Sequence, residues 1–152
     1  MAACLCRIVL LTGVVLASSG IVDARAVATW SYQKLFDESD IVVIATPTAT
    51  SDTSEKSPGL DGFGQPVVGV ETKFTVSAVL KGDKKTEAFV LHHYRDDGGL
   101  VPNGPCLVSF DPEKKRTYLL FLVREDDGRY APTFGQVDPA VCGISVVERF
   151  AR

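Results

Sequence analysis

Histidine and cysteine are nearly missing from this chain of 152 residues, which has two of the first and four of the second. The two histidines, His92 and His93, are adjacent, so on a strand they point to opposite faces and do not ligate one metal together. At most one of them could join Glu87, Asp96 or Asp97, and no spacing resembles a zinc motif. Metal is therefore not expected, nor is any other cofactor. There is no Cys-x-x-Cys pair, no Gly-x-Ser-x-Gly elbow, no phosphate loop and no calcium loop. Gly62-Phe63-Gly64 lacks the strand-to-helix context that a phosphate cradle requires. Internal repeats and coiled-coil heptads are absent too. A surplus of positive charge is also lacking, since the formal net charge is −3. Binding to a phosphate backbone is driven by counterion release at Lys and Arg, so nucleic acid is an unsuitable partner. The basic pieces Lys81 to Lys85 and Lys114 to Arg116 lie beside turn signals and read as solvated ends.

The one long apolar run is at the N-terminus, where Ile8 to Ala17 follows Arg7. About ten apolar residues fall short of the roughly 20 that a helix needs to span a bilayer, so the run reads as a secretory signal and not as a stable membrane anchor. Ala24-Arg25-Ala26 supplies small residues for cleavage, with Val15-Leu16-Ala17 as an earlier competitor. Residues 1–26 are thus expected to be a signal peptide and 27–152 a single domain, secreted or periplasmic. Either cut removes Cys4 and Cys6.

What is present is mostly β-strand. Val68 to Gly82 alternates apolar and polar residues, with Val68, Val70, Thr72, Phe74, Val76, Ala78 and Leu80 expected on one buried face. Ahead of it, Tyr32, Leu35 and Phe36 have helical spacing with Ser31 as N-cap, and the acids Asp37, Glu38 and Asp40 end that helix against its dipole. Ile41 to Ala45 is apolar on both faces, and Pro47 is expected to end it. Thr48 to Pro66 then reads as a long loop. Glu87 to Tyr94 makes a third strand, and a turn-rich loop over 95–105 follows. Thr117 to Val123 is apolar on both faces, as a central strand would be. Asp127-Gly128 predicts a hairpin that returns through Arg129 to Phe134, with Tyr130 and Phe134 on one face. Cys142 to Val147 packs as a strand or a short helix. Five or six short antiparallel strands with long loops fit a Greek-key barrel of the OB-fold class, with a short N-terminal helix, better than a seven-stranded sandwich.

Six pieces of sequence occur in an order that resembles the netrin-type domain of the tissue inhibitors of metalloproteinases. They are FDESDIVVIA (36–45), AVLKG (78–82), Cys106, RTYLLFLV (116–123), DDGRY (126–130) and Cys142. The resemblance implies an OB barrel and a non-enzymatic, inhibitor-like role. In those inhibitors a mature N-terminal Cys-x-Cys chelates the protease zinc. Here Cys4-Leu5-Cys6 precedes the apolar core and would be discarded, so chelation from a start near Val27 is not expected. The barrel cysteines of the inhibitors pair with those lost residues. Cys106 and Cys142, left as an even pair in an exported chain, are therefore assigned to each other as a disulfide, with two separate buried thiols as the alternative.

These features lead to a secreted protein-binding module acting through loops 48–66 and 95–105, with an extracellular or periplasmic protein as partner. Candidate contact residues are Phe63, Gln65, Asp96, Asp97 and Leu100, Phe63 being an apolar anchor in a polar loop. The acidic runs Asp37-Glu38, Asp96-Asp97 and Glu125-Asp126-Asp127 lie at element ends, where carboxylates are solvated. Two other readings compete. One is an exported metal-dependent hydrolase using His92 or His93 with nearby carboxylates, against the plainer expectation that one histidine is half-buried beside Tyr94 and the other solvated. The other is a purely structural extracellular domain.

Overall fold

Pro47 does not end the first strand. In the computed structural model, which describes residues 29–57, 66–98, 106–136 and 144–147, strand β1 runs without interruption over Ile41–Ser57. It is followed by β2 (Val67–Lys81), β3 (Ala88–Asp96), β4 (Tyr118–Arg124), β5 (Tyr130–Pro132) and β6 (Ile144–Val146). A helix, α1 (Tyr32–Glu38), precedes them, and a short 3-10 turn covers Pro112–Lys114. Pro47 is tolerated because β1 pairs with β4 only from Ile41 to Ala45, so beyond that point, among the described residues, one side of the strand is an edge with no partner for an N–H. Thr48 to Ser57 is consequently strand and not loop, and the connection to β2 shrinks to 58–66. The loop expected over 95–105 also starts later, because Arg95 and Asp96 still belong to β3.

The strand order is β1-β2-β3-β5-β4, and the β1–β4 ladder closes it into a five-stranded barrel. All neighbours are antiparallel except β3 and β5, which meet in parallel at Leu91 and Tyr130. This is a Greek-key barrel of the OB-fold kind, mainly β with one short helix. The terminal segment resolves to strand, since Ile144–Val146 adds antiparallel to the N-terminal end of β4.

Period-two alternation fills the interior. Ile41, Val43 and Ala45 from β1, Phe74 from β2, Phe89 and Leu91 from β3, and Tyr118, Leu120 and Leu122 from β4 form one cluster, closed by Val108, Phe110 and Ile144. Phe110 is its hub, meeting Phe74, His93 and Tyr118 edge-on at 5.0, 5.3 and 5.1 Å between ring centres. The opposite faces of β1 and β4 are not wet, because Val42 and Phe121 are covered by Leu35, Trp30 and Phe36 of the helical segment. That explains why these two strands are apolar on both sides. The helix begins at Ser31, whose hydroxyl accepts from the Lys34 N–H, and it ends where Ser39 Oγ and the Lys81 ammonium take up carbonyls of its last turn.

The expected single face of β2 holds only as far as Val76. Val43 pairs with Val79 and Ala45 with Val76, so β2 carries an extra residue here and its alternation flips. Val79 enters the core instead, and Leu80 is left 47% exposed.

The interior also contains His93, only 2% exposed, with its Nε2 2.8 Å from the Thr72 hydroxyl. Burial pulls its pKa from 6.5 to about 4, partly opposed by the backbone of Val108 and Tyr94. Its folded state therefore binds a proton less readily than the unfolded chain, and the stability it contributes is complete above pH 6.5 and is lost as pH falls towards 4. The loss should reach about 3 kcal/mol. Urea unfolding at stepped pH is expected to show this slope in the wild type and not in His93→Gln. An identical slope in both proteins would contradict the assignment.

Candidate functional site

The alternation that sends Phe89, Leu91 and His93 inward sends His92 and Tyr94 to the outer face of β3, beside Glu71 of β2, the register partner of His92. An outward histidine would ordinarily be wet. His92 is instead only 4% exposed, because two other parts of the chain fold over it.

The first is a wide bulge in β1. Asp52 pairs with Val70 and Lys56 with Val68, so Thr53, Ser54 and Glu55 stand against the single residue Gly69. Glycine is needed there: a Cβ on Gly69 would lie 2.5 Å from Thr53 Oγ1 and 3.0 Å from Glu55 Cβ. The Thr53 hydroxyl accepts from the Glu55 N–H at 3.1 Å and holds the bulge in shape. Glu55 is thereby swung across the sheet, with one oxygen 3.2 Å from His92 Nε2 and the other accepting from the Tyr94 hydroxyl. Desolvation first, and then Glu55, pushes the Tyr94 pKa up to about 12, so the phenol keeps its proton and remains a donor.

The second is the β4–β5 hairpin. Its tight turn uses Gly128 at φ 90°, and the Glu125 N–H donates to the Arg129 carbonyl at 2.9 Å. This places both Glu125 oxygens 3.0 and 3.1 Å from His92 Nδ1. Arg129 then bridges to Glu71 at 3.1 Å and to Asp127 at 2.7 Å, and lies 3.6 Å from Glu125. The Arg129 backbone N–H, and then its guanidinium, hold Asp127 below the usual carboxylate range.

Four carboxylates, Glu55, Glu71, Glu125 and Asp127, surround one guanidinium and one imidazole. Thr53, Ser54, Glu55, Glu71, Asp127 and Arg129 line a shallow cavity of about 420 Å³. A general base needs a ring nitrogen facing substrate, but here both nitrogens of a buried ring face carboxylates. Among the described residues no three His, Cys, Asp or Glu side chains are disposed to hold a metal ion.

The sequence-derived contact residues fare unevenly. Phe63, Gln65, Leu100 and Cys142 lie outside the described residues, as does the N-terminal leader. Asp96 ends β3, and Asp97 pairs with Lys56 at 3.6 Å, so both border the site without entering it. Cys106 is an exposed free thiol, and the described residues contain no disulfide. Neither histidine is half-exposed, contrary to expectation: His93 is sealed by the core and His92 by the bulge and hairpin. Glu125 and Asp127 are not simply solvated either, since each has a fixed cationic or imidazole partner. Glu55, Glu71, Gly69 and Arg129 were not anticipated. The available signal was Gly69 itself, an isolated glycine within a strand pattern, which marks a bulge or a close backbone approach.

Replacing Gly69 by Ala should destabilise the protein by about 1 to 2 kcal/mol through overpacking against the bulge. Removing the obstructing hydroxyl as well, in Gly69→Ala/Thr53→Ala, should recover part of that loss in chemical denaturation. A neutral Gly69→Ala would show that the bulge does not fold over this residue. Comparison with models of known protein families and with characterised proteins finds no match, so the reading of this face rests on its own geometry and chemistry.

Proposed function

We propose that this chain is an exported, non-enzymatic protein-binding module of netrin-like type, and that it engages a basic segment of an extracellular or periplasmic partner on the outer β2–β3 face. The observation that carries this reading is the convergence of Glu55, Glu71 and Asp127 on one cavity, with Glu125 beside it on His92. In OB barrels the face of strands 2 and 3, with the loops after strands 1 and 4, is where ligands commonly dock. Here those same parts supply the acids: Glu55 precedes the first connection, Glu71 lies on β2, and Glu125 and Asp127 lie in the β4–β5 turn. An Arg or Lys side chain entering the cavity would meet carboxylates already held in place, and a preorganised site loses little freedom on binding. The contact surface thus shifts from loop 48–66, half of which is strand, to the bulge and hairpin, with 95–105 at its border. The protein-binding role continues to be supported by the resemblance to inhibitors, though through this face and not through an N-terminal chelator.

The hydrolase reading has one observation in its favour, the meeting of His92 with two carboxylates. Its weakness is access, since the ring is buried and neither nitrogen is open to a substrate.

Capture from the native extracellular fluid on the immobilised mature chain should retain a basic protein, released by raising salt because the attraction is screened. Glu71→Gln/Asp127→Asn should weaken that interaction at least about tenfold while the fold is retained. Capture that is insensitive to both salt and these substitutions would refute the proposal.

A further inference from the structure

Against the acidity of the whole chain stands one cavity walled by cations. It has a volume of about 730 Å³ and opens where the β1–β4 ladder ends, bounded by Thr46, Thr117, Val146, Val147 and the consecutive residues Lys114, Lys115 and Arg116. Among the described residues no carboxylate lines it. Lys114 is drawn to Asp111 at 3.1 Å, whereas among the described residues Lys115 and Arg116 form no ion pair. Three positive charges side by side repel one another, and among the described residues only that of Lys114 is met by a carboxylate.

Two further observations point to a ligand. Ala45 and Tyr118 are the last paired residues of the ladder, and the next pair, Thr46 and Thr117, is joined only through its hydroxyls at 3.1 Å. In such a pair one hydroxyl donates to the other, and the accepting hydroxyl keeps a proton to donate into the cavity. Lys115 is the one non-glycine with positive φ among the described residues, at φ 47° and ψ 34°, closing the 3-10 turn. Glycine takes this left-handed position without penalty and is the usual residue there. A lysine that accepts the strained conformation gains nothing for the fold that glycine would not provide. What it adds is a charge at the cavity mouth.

We propose that this cavity is an anion site, which takes the tetrahedral oxyanion of a phosphate or sulfate ester. Lys115 and Arg116 would supply charge-assisted hydrogen bonds, Arg116 being suited to two oxygens at once. The threonine hydroxyl would supply a neutral donor from the floor, while Val146, 48% exposed, offers an apolar flank to the organic part of the ester. The site is separate from the acidic β2–β3 face, and its existence does not depend on the function proposed for that face.

Methyl phosphate and methyl sulfate, titrated into the full mature chain and followed by amide chemical shifts, distinguish the two esters. Saturable shifts at Lys115, Thr117 and Val147 are expected at millimolar probe, about the range for a single small anion. A phosphate ester site would bind methyl phosphate more weakly as pH falls below its second ionisation near 6, whereas methyl sulfate binding would stay constant. Arg116→Gln should weaken binding about fivefold or more. Lys115→Gly is the decisive variant, because it should weaken binding to a similar degree while the melting temperature stays level or rises. No saturable shift at about 10 mM of either probe, or affinity unchanged in both variants, would overturn the proposal.

Discussion

Strand β1 carries the architecture because it belongs to two ladders at once. It pairs with β2 along nearly its whole length and with β4 over its first five residues, and the second pairing turns a sheet into a barrel. Closure pairs β1 on both sides over Ile41 to Ala45, and it encloses the Phe74, Phe110 and Tyr118 cluster. Where β1 leaves β4, it becomes free to bend. That freedom admits Pro47, the wide bulge at Thr53 to Glu55 and the open cavity at Thr46, so both candidate sites arise from the departure of one strand from one partner.

The amino-acid sequence states this fold legibly wherever a residue's role is local or periodic. Ser31 caps the helix, the apolar runs at 41–45 and 117–123 are buried on both faces, and Asp127-Gly128 makes the hairpin, each for a reason visible in the pattern. What the pattern misses is pairing over distance. Pro47 reads as a terminator because its edge position depends on where β4, distant in sequence, stops pairing with β1 at Ala45 and Tyr118. The alternation of β2 gives no sign of the flip between Val76 and Val79, which the register with β1 imposes. The same holds for the site. Nothing near His92 in sequence announces Glu55 or Glu125, and only the bulge over Gly69 and the hairpin bring them to it.

Net charge conceals how charge is distributed. Within a formal −3 stand a face where four carboxylates outnumber their cations and a cavity that, among the described residues, is lined by three cations and no carboxylate. Each group is held by backbone geometry, the acids by a bulge and a turn, the bases by the left-handed residue Lys115. Isolated exposed ion pairs contribute little to stability, so such placement fits the recognition roles proposed above better than reinforcement of the fold.

Whether Glu55, His92 and Glu125 form one preformed site is the central question, and a double-mutant cycle on Glu55 and His92 answers it most directly. Unfolding free energies of the wild type, Glu55→Gln, His92→Gln and the double variant would be compared at neutral pH. A coupling of about 1 kcal/mol or more is predicted, since the carboxylate reaches the ring across the sheet and little water separates them. Additive effects, within about 0.3 to 0.5 kcal/mol, would mean that the bulge does not reach the β3 face and that the acidic cavity is not built as described.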